Sequence, residues 1–360
     1  GNSPDDVLNR YNTYALTHIP LGTTTKQLND LERVIVENKT CAVGTIVGPY
    51  GYGKTSTAVH LWHEIQAQKI VAVPPFLWTN LDELMDAVYH WIRYEFSKGP
   101  KTHLPALEQV YNQLRQQYSK DLIERMGQEM FDELVGKGQL LLQIRASDLI
   151  TFFSKASEIC EQAGYRGLVI FTDELQATLA KYPSRDQFFA DLFEMVKDIL
   201  GLPGHWAIVI TMDDDTEGTI ARLRSDLLQR LQRSALHFRV KEVYNRREYP
   251  KELWSAFEER FGFDGSDVIM DQTLEAIGEV SARSDLGAGP RAVTYAMSLA
   301  IKHYERTSQA YSPLHFVNDA LAGLMIFDQR GKYSNALKKA LDNPDVRNNE
   351  TLQQVVKLLG

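Results

Sequence analysis

The chain has 360 residues, of which 44% are hydrophobic, 24% charged and 10% aromatic. This composition is close to the globular average, and it excludes an intrinsically disordered chain and a small disulfide-stapled peptide. The 39 Lys and Arg residues are outnumbered by 47 Asp and Glu residues, which gives a net charge of -8. No overall positive field attracts nucleic acid, so any contact with DNA must come from a local basic patch.

Cysteine usage and hydropathy favour a cytoplasmic protein without a membrane partner. Only Cys41 and Cys160 are present, and no Cys/His cluster has the spacing of metal ligands, so neither a disulfide framework nor a structural zinc is expected. No stretch approaches the ~20 apolar residues of a membrane span, and Asp5 and Asp6 stand where a signal peptide would be basic. The start at Gly1 rather than at Met favours a piece of a longer protein.

Short apolar runs alternate with helical patterns in the first part of the chain. Five runs have the length and apolarity of strands that are covered on both faces: 41–47, 70–76, 167–172, 206–211 and 236–240. Helix-period segments such as 56–68 and 149–160 lie between them, and Gly164 is a candidate C-cap for the second. We therefore expect a three-layer α/β domain with a parallel five-stranded sheet over residues 1–242.

Two further regions are predicted to be helical. Residues 80–146 read as amphipathic helices with turn-like breaks, which indicates a helical insertion between the second and third strands. After the fifth strand, helical patterns occur near 248–261, 273–281, 291–304 and 314–327. We predict an all-helical lid domain over residues 243–309 and a helical C-terminal extension over residues 310–360.

The first strand runs into a glycine-rich loop that opens a helix. The loop fits the phosphate-loop pattern through Gly48, Pro49, Tyr50, Gly51, Tyr52, Gly53, Lys54 and Thr55. Its backbone N–H groups would face a triphosphate, Lys54 would reach the β and γ oxygens, and the Thr55 hydroxyl would bind Mg²⁺. Together with Ser56, these residues form the predicted ATP site. Tyr50 and Tyr52 either stack on a base or a partner, or pack against the surrounding loops.

The third strand ends in two acids, Asp173 and Glu174. In the catalytic interpretation Asp173 holds Mg²⁺, directly or through water, and Glu174 orients and deprotonates the attacking water. In the alternative interpretation the two acids cap the next helix. The phosphate loop upstream favours the catalytic one.

These two motifs, together with Gly289-Pro290-Arg291, resemble the Walker A, Walker B and sensor 2 motifs of AAA+ ATPases, especially the origin-recognition and Cdc6-like initiators. The resemblance covers roughly residues 19–304. It implies that Arg291 reaches the γ-phosphate of the nucleotide bound by its own subunit, the alternative being a solvent-exposed arginine at a helix start. It also implies a polar sensor 1 residue, for which Thr211 and Asp213 are both open.

The same resemblance implies an arginine finger that enters the site of a neighbouring subunit in a homo-oligomer. Arg230 is the first candidate and Arg233 the second. The alternative is a solvated basic face that also suits DNA phosphates, because few acids oppose the arginines and lysine of this stretch: Arg222, Arg224, Arg230, Arg233, Arg239, Lys241, Arg246 and Arg247. Ile19 and Pro20 are expected to contact adenine, or else to pack as a loop end on the core.

The expected function is an ATP-binding and ATP-hydrolysing AAA+ module that oligomerises and couples its nucleotide state to remodelling or recognition of DNA or a protein partner. A STAND-type nucleotide switch and a nucleotide-gated scaffold of a larger complex share the same site and stay open as alternatives. The general layout also resembles the N-terminal ATPase regions of large prokaryotic anti-phage proteins of BREX-like systems, which implies a role in genome defence.

Overall fold

A computed structural model describes residues 8, 11, 24–136, 144–240, 245, 247–282 and 290–316. The chain divides into two compact units. The sheet unit consists of Gly1–Gly48 and Lys54–Val240, and the helical unit consists of Pro49–Gly53 and Lys241–Gly360. The domain boundaries given above stay predictions.

The sheet unit is built on five strands: β1 Ala42–Val47, β2 Val71–Phe76, β3 Leu168–Thr172, β4 Trp206–Met212 and β5 His237–Arg239. They form one sheet in the order β2-β3-β4-β1-β5, and every pair is parallel. All residues of β1, β3 and β4 are buried, as expected for strands covered on both faces. The predicted α/β class with a parallel five-stranded sheet is confirmed.

The strand order decides which side chains meet at the carboxyl edge of the sheet. Because β4 lies between β1 and β3, its end is flanked by the strand that leads into the phosphate loop and by the strand that leads into Asp173. Ile46 of β1 is paired with Thr211, and Thr172 of β3 is paired with Ile210. Thr211 therefore ends up between the two motifs.

The helices of the sheet unit are α1 Thr24–Glu32, continued by the π-helical Arg33–Glu37, α2 Lys54–Ala67, α3 Leu81–Lys98, α4 Leu104–Met126, α5 Gln128–Gly136, α6 Ala146–Gln162, α7 Leu175–Lys181, α8 Arg185–Ile199, α9 Asp214–Leu223 and α10 Ser225–Arg233. Three of them, α3 to α5, lie within residues 80–146, where a helical insertion between the second and third strands was predicted, and α6 leads into β3. Asn80 caps α3 by accepting a hydrogen bond from the Glu83 N–H at 2.9 Å. Gly164, at φ +90°, follows α6 in the left-handed conformation expected near a helix end.

The described part of the helical unit contains α11 Tyr249–Phe261, α12 Asp271–Ala282, α13 Pro290–Thr307 and α14 Pro313–His315. Tyr311 is fully buried, and its backbone joins the segment before α12 through hydrogen bonds with Val268 and Met270. Of the helix predicted at 314–327, the structure describes only its start in α14, and the remainder lies outside the described residues.

Candidate functional site

The phosphate loop connects β1 to α2. Gly51 and Gly53 have φ values of +80° and +83°, which only glycine adopts at little cost, so the spacing of these glycines matches the backbone that the loop requires. A Cβ atom at Gly48 would lie 3.3 Å from Val240 Cβ, tighter than most contacts of a real side chain. Tyr50 is 69% exposed, whereas Tyr52 is buried at 5%. Packing therefore accounts for Tyr52 and leaves Tyr50 open to solvent.

Lys54 begins α2, and its side chain is buried at 7% exposure. Its Nζ donates a hydrogen bond to the Gly48 carbonyl at 3.0 Å. Burial lowers the pKa of Lys54, and the nearby carboxylates oppose this shift: Asp213, Asp173, Asp214 and Glu174. The fold thus places one buried cation beside a set of acids at the end of the sheet.

Thr55, Asp173, Thr211 and Glu174 form a connected hydrogen-bond network. The Thr55 hydroxyl donates to Asp173 Oδ2 at 2.8 Å, and the Thr211 hydroxyl donates to Asp173 Oδ1 at 2.5 Å. The Thr211 oxygen also accepts the backbone N–H of Glu174 at 2.9 Å. Residues from α2, the end of β3 and β4 are therefore brought together, and the two motifs recognised in the sequence converge at one place.

Glu174 occupies an unusual backbone position immediately before α7. Its φ of 51° and ψ of 60° lie in the left-handed region, where a residue other than glycine is uncommon. The side chain is exposed and does not cap α7, and the Asp173 carboxylate accepts hydrogen bonds from two hydroxyl groups. These contacts speak against helix capping as the use of this acid pair, and the strained backbone is of the kind that recurs at functional sites.

The two candidates for sensor 1 have different surroundings. Asp213 caps α9 by accepting a hydrogen bond from the Thr216 N–H at 2.7 Å. Thr211 is fully buried and joins the acid pair directly. The contacts therefore favour Thr211 as the polar residue beside the acid pair.

Arg230 lies on the exposed face of α10, and its guanidinium carbon is 5.6 Å from the centre of the Phe193 ring. Arg224 lies over the same ring at 4.1 Å and forms an ion pair with Asp226 through two hydrogen bonds of 3.1 Å. Arg233 is exposed and has no polar partner among the residues that the structure describes. Both candidates for the finger are thus near the surface of the sheet unit.

The basic face, the alternative to an arginine finger, is partly neutralised by acids in the folded chain. The Arg239 side chain is 35% exposed and forms ion pairs with Asp214 and with the buried Glu217. Arg224 is likewise neutralised by Asp226. Asp226 is a sequence neighbour of Arg224, whereas Asp214 and Glu217 lie on α9, 25 and 22 residues from Arg239, so only folding brings them to this cation.

Several predicted site residues cannot be placed relative to this network. Arg291 is the second residue of α13 in the helical unit, and its side chain is outside the described part. Ile19 and Pro20 also lie outside the described residues, as do Lys241 and Arg246 of the basic stretch. Ser56, in the first turn of α2, is partly buried.

One residue of this neighbourhood was not predicted, and a second was given a different role. Glu217 is buried in α9, and its partner Arg239 was interpreted only as part of a basic face. The signal available in the sequence was weak, since Glu217 follows three aspartates and looks like one more acid of an exposed helix start.

Within the described residues, no group of three or more His, Cys, Asp or Glu side chains could hold a metal ion. Both cysteines are buried and free. Among the helices described, none is long and apolar enough to cross a membrane.

Comparison with solved structures finds likeness to the ORC2 protein of Aeropyrum pernix, solved as ADPNP-ADP complexes, at 14% identity and a TM-score of 0.47 over 86% of this chain and 68% of that one. A Walker-type ATPase of Pyrococcus abyssi is similar at 14% identity and a TM-score of 0.41, over 96% of this chain and 92% of that one. No family model and no curated protein matches the sequence.

Proposed function

We propose that this chain binds ATP with Mg²⁺ at the phosphate loop, hydrolyses it, and works as an oligomer that couples the nucleotide state to remodelling or recognition of DNA or a protein partner. The observation that carries the proposal is the network that joins Thr55 of the loop to Asp173, Thr211 and the backbone of Glu174. A glycine turn that met a helix by chance would not need a buried lysine and a paired carboxylate at the same point.

The donor set fits Mg²⁺. This ion prefers oxygen ligands and is usually held by one or two protein groups together with phosphates and water. The Thr55 hydroxyl and the Asp173 carboxylate are 2.8 Å apart and would hold it. Held there, Mg²⁺ would supply positive charge to stabilise the charge that develops on the phosphates.

Each side chain has a task that follows from its position. Lys54 places a cation at the start of α2, where backbone N–H groups also favour an anion. Glu174 is exposed and accepts no capping hydrogen bond, so its carboxylate is available to orient a water molecule and to take its proton. The Thr211 hydroxyl oxygen accepts a hydrogen bond from the Glu174 N–H. This contact fixes the backbone position from which the Glu174 carboxylate extends.

Two arginines complete the proposed chemistry. Arg291 is assigned to the γ-phosphate of the nucleotide bound by the same subunit, and Arg230 to the nucleotide of a neighbouring subunit. The exposure of Arg230 on α10 supports the second assignment, since a group that enters a neighbouring site must be at the surface. An isolated subunit is then a slow ATPase.

Subunit mixing tests the proposal. Glu174→Gln should bind ATP without turnover, and Arg230→Ala should bind ATP and turn it over slowly. A mixture should recover activity, because the intact arginine of the first variant serves the intact base of the second. Arg222→Ala, which also removes an exposed arginine, is the matched control and should keep its own activity. Retained hydrolysis by Glu174→Gln contradicts the base assignment, and no recovery between subunits shown to mix contradicts the shared site.

The hydrolysis assay also distinguishes DNA from a protein as the coupled partner. A hydrolysis rate that rises with protein concentration supports oligomerisation. Stimulation by double-stranded DNA that disappears at higher salt assigns the exposed arginines to phosphate contacts. A rate that does not respond to DNA leaves a protein partner as the object of the cycle.

A further inference from the structure

Two charged side chains stand out for their burial. Of the Lys, Arg, Asp and Glu residues that the structure describes, only Lys54 and Glu217 are buried, each at 7% exposure. Lys54 belongs to the phosphate loop. Glu217 lies in α9, has no part in the chemistry proposed above, and is costly to bury unless its charge is fully paired.

Glu217 is paired on both oxygens. Its Oε2 accepts a hydrogen bond from Nη2 of Arg239, the last residue of β5. Its Oε1 accepts a hydrogen bond at 3.1 Å from Nε2 of Gln232, which lies on α10. One buried carboxylate thus joins three elements: the helix after β4, the edge strand β5, and the helix that carries Arg230.

Arg239 extends this junction toward the nucleotide site. Its Nη1 donates to Asp214 Oδ1 at 3.4 Å, while its Nη2 holds Glu217. Asp214 is the first residue of α9 and is one of the acids whose charge acts on Lys54. The guanidinium is therefore shared between an acid that follows Thr211 by three residues and an acid bonded to Gln232 of α10.

The attachment of α10 explains why this link matters. Leu227 and Leu231 are buried and hold the helix on the core, but apolar contacts are not directional. Gln232 and Arg230 are two residues apart, which places them about 200° apart around the helix axis. A hydrogen bond that fixes Gln232 on one side therefore fixes the direction of Arg230 on the other.

We propose that Glu217 is a positioning residue for the arginine finger: through Gln232 it sets the rotation of α10, and through Arg239 it ties that rotation to Asp214, the first residue of α9, three residues after Thr211. This inference rests on the proposed function, because it needs Arg230 to act in a neighbouring subunit. The proposed function does not itself require that Glu217 and Gln232 control the orientation of Arg230.

The first test removes the hydrogen bond between Gln232 and Glu217 and leaves the ion pair of Glu217 with Arg239 intact. Gln232 is exposed, so Gln232→Ala should fold, and it deletes the α10 donor to Glu217. Gln229→Ala is the matched control, since Gln229 is an exposed glutamine on the same helix. Glu217→Gln is the second variant, because it keeps the shape of the side chain and removes the charge that Arg239 pairs with.

The subunit-mixing assay gives a readout that a merely structural role would not move. Each variant is placed either in the subunit that donates the arginine, which carries Glu174→Gln, or in the subunit that donates the site, which carries Arg230→Ala. A misplacement of about 1 Å can cost about a hundredfold in rate, so we expect recovery to fall at least about tenfold when Gln232→Ala is in the arginine donor. In the site donor it should have no effect, because α10 of that subunit has already lost its arginine.

Each outcome decides something. Loss only in the arginine donor supports the proposal, and the affinity for ATP should then be unchanged in both subunits. Equal loss in both positions, or no loss in either, overturns it. If the parent mixture of Glu174→Gln and Arg230→Ala shows no recovery, the shared site itself fails, and that result is seen before any change at Gln232 is introduced. If Glu217→Gln does not fold, the comparison of Gln232→Ala with Gln229→Ala still decides.

Discussion

Replacing Thr211 by valine tests whether the network at the end of β4 organises the acid pair. The Thr211 hydroxyl is fully buried, donates to Asp173 Oδ1 and accepts the Glu174 N–H. Valine has nearly the same shape but no hydroxyl, so Thr211→Val removes both hydrogen bonds and leaves little change in volume. The Thr55 contact to Asp173 remains.

The expected loss of stability follows from the two bonds. A hydrogen bond to a charged group contributes about 1.5–3 kcal/mol, and a buried N–H left without a partner costs about 1–3 kcal/mol. The additional apolar surface of valine offsets part of this loss. We expect the free energy of unfolding to fall by about 2–4 kcal/mol, measured by urea unfolding.

The effect on hydrolysis should exceed the effect on binding. The left-handed backbone of Glu174 costs about 1–3 kcal/mol and persists only while its surroundings hold it, and the Thr211 oxygen is one of the groups that hold it. We expect kcat to fall about tenfold to a hundredfold, with the affinity for ATP changed by less than about threefold, because Lys54 and Thr55 are untouched.

Calorimetry for ATP binding and steady-state hydrolysis at saturating ATP separate the two effects. Thr211→Ser is the control, since it keeps the hydroxyl and loses only a methyl group, and its kcat should stay within about threefold of the parent. A folded Thr211→Val protein that hydrolyses ATP at the parent rate refutes the reasoning. A loss shared equally by Thr211→Ser would assign the effect to packing.

Three further predictions follow. Lys54→Ala should abolish ATP binding by calorimetry, and unchanged affinity would remove the nucleotide site. Burial lowers the pKa of Lys54 below its usual 10.5, so ATP affinity should begin to weaken at a lower pH than for an ordinary lysine; Lys54→Arg, which does not titrate in this range, should show no such onset. Burial disfavours the charged form of Asp82 and raises its pKa to about 6. The protonated side chain therefore contributes stability at low pH, and this contribution is lost as pH rises from about 4 to about 6. Asp82→Asn should therefore stabilise the protein by about 1 kcal/mol at pH 7, after allowance for solvent screening, and by nothing at pH 4; equal urea midpoints of variant and parent at pH 7 would contradict this.

The strands could be predicted from the sequence because a strand buried on both faces reads as an unbroken apolar run. The five predicted starts lie within one residue of those in the structure, from Ala42 of β1 to His237 of β5. The order of the strands could not be predicted in this way, since apolar runs carry no information about which neighbour each strand pairs with.

The candidate site could be predicted from the sequence where short motifs identify the polar residues. Thr55 and Asp173 were both assigned to one Mg²⁺ ion from the sequence, and the structure places them in contact, whereas the metal role stays a prediction. The choice between Thr211 and Asp213 was not, because both are polar residues at the same strand end. In the folded chain the Thr211 hydroxyl donates to Asp173, whereas the Asp213 carboxylate accepts an N–H of α9. Which of the two contacts each side chain makes depends on the path of the folded backbone.

The Glu217 and Arg239 pair escaped prediction for another reason. The two residues are 22 positions apart, one on a helix and one on an edge strand, and a count of charges in a window sees only neighbours along the chain. Such a pair is recognised only once burial is known, because a buried carboxylate requires a partner whereas an exposed one does not.

The burial of Glu217 is itself an argument about function. A buried ion pair contributes little net stability, and apolar residues of similar volume often replace one at no loss. What a charged pair with fixed hydrogen-bond geometry does supply is direction, and here the direction is given to α10, the helix of Arg230. If α10 only covered the core, Leu227 and Leu231 would suffice to hold it. The hydrogen bond between Gln232 and Glu217 is needed if Arg230 must extend from the surface in one defined direction.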